Sequence, residues 1–197
     1  NLCSEITLPT NEERTAVCCL SSVNLEYFDE WEKEELFIED LMRMLDNTLT
    51  KFIKSAPLTM KKAITSAESE RSVGLGAMGF HSYLQRNGMA LNSPMAMGPN
   101  VKIFKHIKKK CDAANMLLGK ERGEAPDLKG TGKRFSHMTA IAPNASSSII
   151  CGNTSPSIEP LRANAFSQKT LSGSFLIKNK YLEELLEKKG KNTKDVW

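Results

Sequence analysis

Short runs of small and β-branched residues alternate along this chain with longer stretches whose apolar positions recur at helical spacing. That alternation restricts the fold more than any other feature. AVCCLSSVNL, beginning at Ala16, reads as a strand. From about Asp29 to Lys54, Leu36, Leu41, Met44, Leu45, Leu49, Phe52 and Ile53 share a helical face and Pro57 follows as a break, which predicts one amphipathic helix. GLGAMGFHSYLQRNGM predicts a glycine-rich entry and a helix ending near Asn87-Gly88. The stretch from Met97 predicts a long helix ending at Gly123. Between Ala125 and Ser136 the residues turn to Pro, Gly and Lys, a loop composition. MTAIAPNASSSIICG holds a short apolar strand, a proline and a run of hydroxyls, and YLEELLEKK predicts a closing helix. Strands separated by helices imply an α/β domain or a portion of an α/β barrel, and no internal repeat is visible.

The opening NLCSEITLP also alternates. In an extended segment Asn1, Cys3, Glu5 and Thr7 share one face, and Leu2, Ser4, Ile6 and Leu8 the other. An amide, a thiol, a carboxyl and a hydroxyl in one row form either the polar side of a half-exposed strand or a catalytic row facing a pocket. With PTNEERT as a polar turn, the opening strand and AVCCLSSVNL would make a hairpin.

Composition narrows the classes. At 197 residues, 40% hydrophobic and 25% charged, the chain has the make-up of a globular domain with a substantial core. Its net charge of +4 is mild, and its basic runs lack the interleaved aromatics that stack bases, so nucleic acid is not the expected partner. No apolar run is long enough to cross a bilayer. Five cysteines without a signal peptide or a metal-type CxxC pair imply a reduced, cytoplasmic setting in which a disulfide is catalytic rather than structural. The first residue is Asn and the opening lies inside a strand pattern, so the expectation is a piece of a longer polypeptide.

GLGAMG, Gly74 to Gly79, fits the dinucleotide fingerprint but lacks its context. The preceding SAESERSV is polar and no acidic residue at a second strand follows. Close helix packing, with glycines letting backbones approach, is the expectation. His81 has no partner at ligand spacing, so no metal is expected. In APNASSSII, Pro143 can end a strand from Thr139 to Ala142, and Asn144, Ser146, Ser147 and Ser148 either cap a turn or present a helix N-terminus to a phosphate. Cys18 and Cys19, adjacent on a strand, must face opposite ways, so only one can share a pocket with Cys3. Cys111 and Cys151 read as structural thiols.

Together these pieces resemble the large, catalytic subunit of class I ribonucleotide reductase, with a phage-type flavour. NLCSEI resembles the family's finger-loop motif, AVCCLSSVNL its redox-cysteine strand, and APNASSSII with GNTSPSIEP its phosphate-binding turn and the segment after it. The resemblance covers residues 1–197 as a single incomplete catalytic domain. It implies a ten-stranded α/β barrel with the finger loop, here at the N-terminus, threaded through its centre. Cys3 would be the thiyl radical that takes the ribose 3′ hydrogen, Glu5 the base for the 3′ hydroxyl, and Asn1 its hydrogen-bonding neighbour. Cys18 would be one of two cysteines that become a disulfide as the 2′ hydroxyl leaves as water, its partner lying upstream. Cys19 competes for that role. Pro143, Asn144, Ala145, Ser146 and Ser147 would hold the substrate diphosphate, and Ser4 would also meet substrate. The implied reaction is reduction of ribonucleoside diphosphates to deoxyribonucleotides. No cofactor binds this stretch directly. A metal-containing small subunit supplies the radical, thioredoxin or glutaredoxin the electrons, and allosteric nucleoside triphosphates bind elsewhere in the subunit. The competing readings are a catalytically silent phosphate-binding or interaction module, and another thiyl-radical enzyme on a related barrel.

Overall fold

The computed structural model describes residues 6–197. Its centre is a pair of parallel strands, β1 (Cys19–Asn24) and β2 (Val73–Met78), in register from Cys19↔Val73 to Asn24↔Met78. Parallel strands need a crossover. Here it consists of α1 (Phe28–Trp31), α2 (Phe37–Ser55) and α3 (Lys61–Glu70). After β2 come α4 (Phe80–Arg86), the long α5 (Met97–Arg122) and the single-turn α6 (Ser147–Ile150). A hairpin of β3 (Ala165–Thr170) and β4 (Gly173–Lys178) follows, then α7 (Lys180–Lys188).

The core lies between the helices and one face of the strand pair. Ile38, Met42, Leu45 and Leu49 of α2 recur at helical spacing and are buried against Val23, Leu75, Ile103 and Leu118. Each such side chain contributes about 1.5–3 kcal/mol on leaving water. Proline at position 57 disfavours the helical conformation at Ala56, which is extended, and α2 stops there. Gly123 ends α5 and Gly88, at φ 67°, follows α4, as the spacing predicts.

Several expectations change. The helix predicted from Asp29 to Lys54 is broken. Trp31 turns into the core and its Nε1 donates to the Asn24 carbonyl at 2.9 Å, while the charged Glu32 to Glu35 offers no apolar face to continue the turn. Of the opening segment expected as the first strand of a hairpin, residues 1–5 lie outside the described residues and 6–10 form no strand, and β1 pairs with β2. Instead, Arg14 pairs with Asp127 and the Thr15 amide donates to the Lys62 carbonyl, so residues before β1 run across the crossover. GLGAM is not a helix entry but most of β2, whose six residues are all buried. The glycines do let backbones approach. A Cβ on Gly76 would run into the Ala140 carbonyl oxygen, and one on Gly74 would lie 2.7 Å from Ala140 Cβ. The apolar strand expected from Thr139 to Ala142 reduces to a parallel bridge at Leu75↔Thr139. Helix α3 and the β3–β4 hairpin were not expected.

A buried charge network closes the crossover. Asp46 on α2 accepts from Arg71 at 2.6 Å, Arg122 at 2.7 Å and Arg134 at 3.0 Å. Burial opposes its ionisation, and the three guanidiniums outweigh that, holding its carboxyl below the usual aspartate range. Arg71 reaches it by ending α3 in the left-handed region at φ 46°.

Candidate functional site

Alternation through β1 and the extended residues just before it sets which way Cys18 and Cys19 point. Val17, Cys19 and Val23 pack on the core side, whereas Cys18, Leu20, Ser22 and Asn24 face away from it. On that outer face β2 presents Gly74 and Gly76. A Cβ on Gly74 would lie 3.4 Å from Cys18 Sγ and 2.5 Å from Leu20 Cδ2, and one on Gly76 would lie 3.1 Å from Ser22 Oγ. Cys18 is half-buried, and its Sγ donates to the Cys19 carbonyl at 3.7 Å. Burial raises the Cys19 thiol pKa, with Arg71 opposing. Cys111 is fully buried in α5, and burial pushes its thiol up to about 12. Cys151, at the end of α6, is exposed.

At the far end of the same strands lies the turn from Pro143. From Val73, opposite Cys19, to Ala77 the strand runs roughly 13 Å. Asn144 Nδ2 reaches the Ala77 carbonyl at 3.3 Å and the Ala142 carbonyl at 2.8 Å. Pro143, Ala145, Ser146 and Ser147 are exposed, whereas Asn144 and Ser148 are buried. The Ser148 amide donates back to the Asn144 carbonyl at 2.9 Å, and the Ser148 hydroxyl donates to the Ala145 carbonyl at 3.3 Å. The amides of Ala145, Ser146 and Ser147 donate no hydrogen bond among the described residues. Ser146 precedes α6 without a side-chain capping bond, so its hydroxyl is not spent there. A single turn has little dipole, and the geometry therefore offers amides and hydroxyls rather than the end of a long helix.

Contacts that sequence reasoning missed tie the chain after this turn, at Cys151, Ser155 and Leu161, to the ends of β1 and β2 and to α4. Asn24 ends β1 with its Oδ1 accepting from the Glu26 amide at 3.1 Å and its Nδ2 donating to the Cys151 carbonyl at 3.4 Å. Gly79, at φ 80°, follows β2 and donates to the Ser155 carbonyl at 2.7 Å; a Cβ there would strike Asn24 Oδ1. His81 Nδ1 accepts from the Leu161 amide at 3.5 Å, and burial lowers its pKa, favouring the neutral ring that can accept. No residue-type pattern marks Asn24 or His81, because each acts through a backbone group distant in sequence.

A cleft of about 390 Å³ opens beside the turn, lined among others by Ala145, Ser146, Glu159, Arg162 and Phe166. The Arg162 guanidinium stacks over the Phe166 ring at 4.5 Å. Glu26, buried behind Asn24, accepts from Lys180 and from Tyr181 at 2.6 Å. Burial opposes its ionisation, and these partners still hold its carboxyl below the ordinary range. Among the described residues no cluster of three His, Cys, Asp or Glu is placed to hold a metal, and no helix is long and apolar enough to cross a membrane. Asn1, Cys3, Ser4 and Glu5 lie outside the described residues.

The comparisons with known proteins agree with one another. The chain matches the family described as ribonucleotide reductase, barrel domain, over residues 1–131 and 125–196. It is 59% identical over 189 residues to the ribonucleoside-diphosphate reductase large subunit of Invertebrate iridescent virus 3, covering 96% of this chain and 30% of that protein. It is 48% identical over 200 residues to a putative large subunit of Frog virus 3, covering 100% of this chain and 35% of the relative. Among solved structures, the class Id ribonucleotide reductase alpha subunit of Actinobacillus ureae superposes with a TM-score of 0.90 at 42% identity, covering 100% of this chain and 36% of that one. The chain thus spans well under half the length of these relatives.

Proposed function

The chain belongs to the ribonucleotide reductase barrel-domain family, and from that premise we propose that it supplies part of the active site of a ribonucleoside-diphosphate reductase large subunit. In this reading residues 1–197 are an incomplete catalytic domain of a ten-stranded α/β barrel with the finger loop at its opening. The observation that carries the reading is that one strand pair holds both features. Cys18 lies beside Gly74 on the side of β1 and β2 turned away from the core, Cys19 packs towards the core, and Asn144 ties the Pro143 turn to the Ala77 carbonyl near the other end of β2. A sugar diphosphate laid along the strands would place its 2′ carbon towards Cys18 and its phosphates at Ala145, Ser146 and Ser147.

The chemistry then assigns each group a step. The Cys3 thiyl takes the 3′ hydrogen atom, Glu5 takes the 3′ hydroxyl proton, and Asn1 orients that exchange. Ser4 and the amides at 145–147 bind substrate. The 2′ hydroxyl takes a proton from the thiol pair and departs as water, a hydrogen from the same pair takes its place on the 2′ carbon, and Cys18 with an upstream cysteine, having given up two electrons, forms a disulfide while Glu5 returns its proton to the 3′ oxygen. Cys3 then returns the hydrogen to the 3′ carbon and regains its radical. The radical arrives from a separate metal-containing small subunit, and thioredoxin or glutaredoxin reduces the disulfide. Allosteric nucleoside triphosphates bind outside these residues.

The test is a single turnover of the full-length subunit with its small subunit and no external reductant, followed by peptide mapping. The expected disulfide contains Cys18, and Cys19→Ser still forms it. A disulfide through Cys19, or product without loss of the Cys18 thiol, would sink the assignment.

A further inference from the structure

The three amides that the diphosphate reading assigns to substrate are exposed, and Asn144 beside them is not. Asn144 is 7% exposed, and its carboxamide nitrogen donates to two carbonyls, Ala77 at 3.3 Å and Ala142 at 2.8 Å. An amide nitrogen has two hydrogens, so this donor is fully used. Both partners are acceptors only, which fixes the orientation of the carboxamide. The place of these bonds in the sheet explains their purpose. Residues 137–140 add rungs to β2: the Val73 amide donates to the His137 carbonyl, Leu75 to Met138, and the Ala140 amide returns to Leu75. Beyond Ala140 the chain leaves the sheet towards Pro143, and Asn144 Nδ2 occupies the Ala77 carbonyl in place of the next backbone rung. The side chain therefore sets how far the turn stands from the end of β2.

We infer that Asn144 is a positioning residue, holding the Ala145, Ser146 and Ser147 amides at the end of β2 without itself meeting the phosphates. This rests on the diphosphate reading of the turn and adds to it a division of labour between an inward anchor and outward ligands. Aspartate at 144 keeps the shape but has no N–H, and it would set a carboxylate against two carbonyl oxygens in a buried place. Serine keeps one hydroxyl donor, enough for one of the two carbonyls.

The full-length subunit with its small subunit tests this with Asn144→Asp and Asn144→Ser, in two measurements. The first is amide hydrogen exchange of the 143–151 segment without substrate. The second is steady-state KM and kcat for a ribonucleoside diphosphate, with inorganic pyrophosphate as competing probe. Asn144→Asp should speed exchange about tenfold and raise KM and the pyrophosphate inhibition constant about tenfold, as losing a buried hydrogen bond implies, with a smaller change in kcat. Asn144→Ser should recover most of both. Raised KM with unchanged exchange in the substrate-free subunit would make Asn144 a direct ligand and overturn the inference. Faster exchange with unchanged KM would reduce it to a stability residue and overturn it equally. The underlying reading fails separately, if neither diphosphate nor pyrophosphate slows exchange of this segment in the unmodified subunit.

Discussion

Ser82 and Ser155 exchange hydrogen bonds: the Ser155 amide donates to Ser82 Oγ at 2.8 Å, and the Ser82 amide donates to Ser155 Oγ at 3.1 Å. Both residues are buried, so neither amide has water as an alternative. The pair fastens the loop behind α6 to the first turn of α4, where the Gly79 amide also donates to the Ser155 carbonyl. Ser82→Ala and Ser155→Ala each leave one buried N–H without its acceptor, at about 1–3 kcal/mol. The two changes disturb one unit, so the double variant should cost less than their sum. Denaturant unfolding of the full-length subunit and the three variants measures this, and strict additivity would show that the two bonds do not act together.

Asp46 sets a second expectation, for stability against pH. Its carboxyl, buried among Arg71, Arg122 and Arg134, titrates below the aspartate range. A folded-state pKa lower than the unfolded one contributes stability that is present above the unfolded value of about 4 and is lost as pH falls through the folded value. Asp46→Asn removes the carboxylate that Arg71, Arg122 and Arg134 share and leaves the guanidiniums facing one another, at about 3–5 kcal/mol. The variant should also lose part of the acid-limb slope of the parent. Equal slopes between pH 2 and 5 in the two proteins, seen by denaturant unfolding, would remove Asp46 from the acid response.

What the sequence disclosed follows from which forces are local. Helices α4, α5 and α7 end where glycine, asparagine or a basic last turn stand, because caps act within a few residues. Helix α3 escaped because its buried face is Ala63, Ser66, Ala67 and Glu70, with Ser66 Oγ donating to Glu70 at 2.9 Å. That polar pair satisfies itself inside the fold and reads as surface outside it. Strand β2 escaped for the opposite reason: buried on both faces, it has no alternation, and its glycines answer to Ala140, far along the chain. The site divides in the same way. The exposed hydroxyl run at Ser146 and Ser147 was legible, and so was the opposition of Cys18 to Cys19, since strand geometry demands it. Which of the two faces the core was not legible, nor was the inward turn of Asn144, because asparagine is equally at home in an exposed cap.

The turn itself supports a final prediction, which separates amides from hydroxyls. Ser146→Ala and Ser147→Ala should each weaken diphosphate-substrate affinity in the full-length subunit by about 1 kcal/mol, the scale of one lost hydrogen bond. Ser147 opens α6, a position whose backbone suits proline, but proline removes the amide as well as the hydroxyl. It also disfavours the helical conformation of the preceding residue, and Ser146 lies at φ −89°, ψ −39°. Ser147→Pro therefore both deletes a donor and reshapes the turn, and should weaken binding well beyond the double alanine variant. Equilibrium binding of a ribonucleoside diphosphate, with folding checked by circular dichroism, measures all four proteins. Affinity that falls as far in the double alanine variant as in Ser147→Pro would transfer the binding from backbone to hydroxyls. Unchanged affinity in Ser147→Pro would place the phosphates elsewhere and leave residues 143–147 as a capped turn.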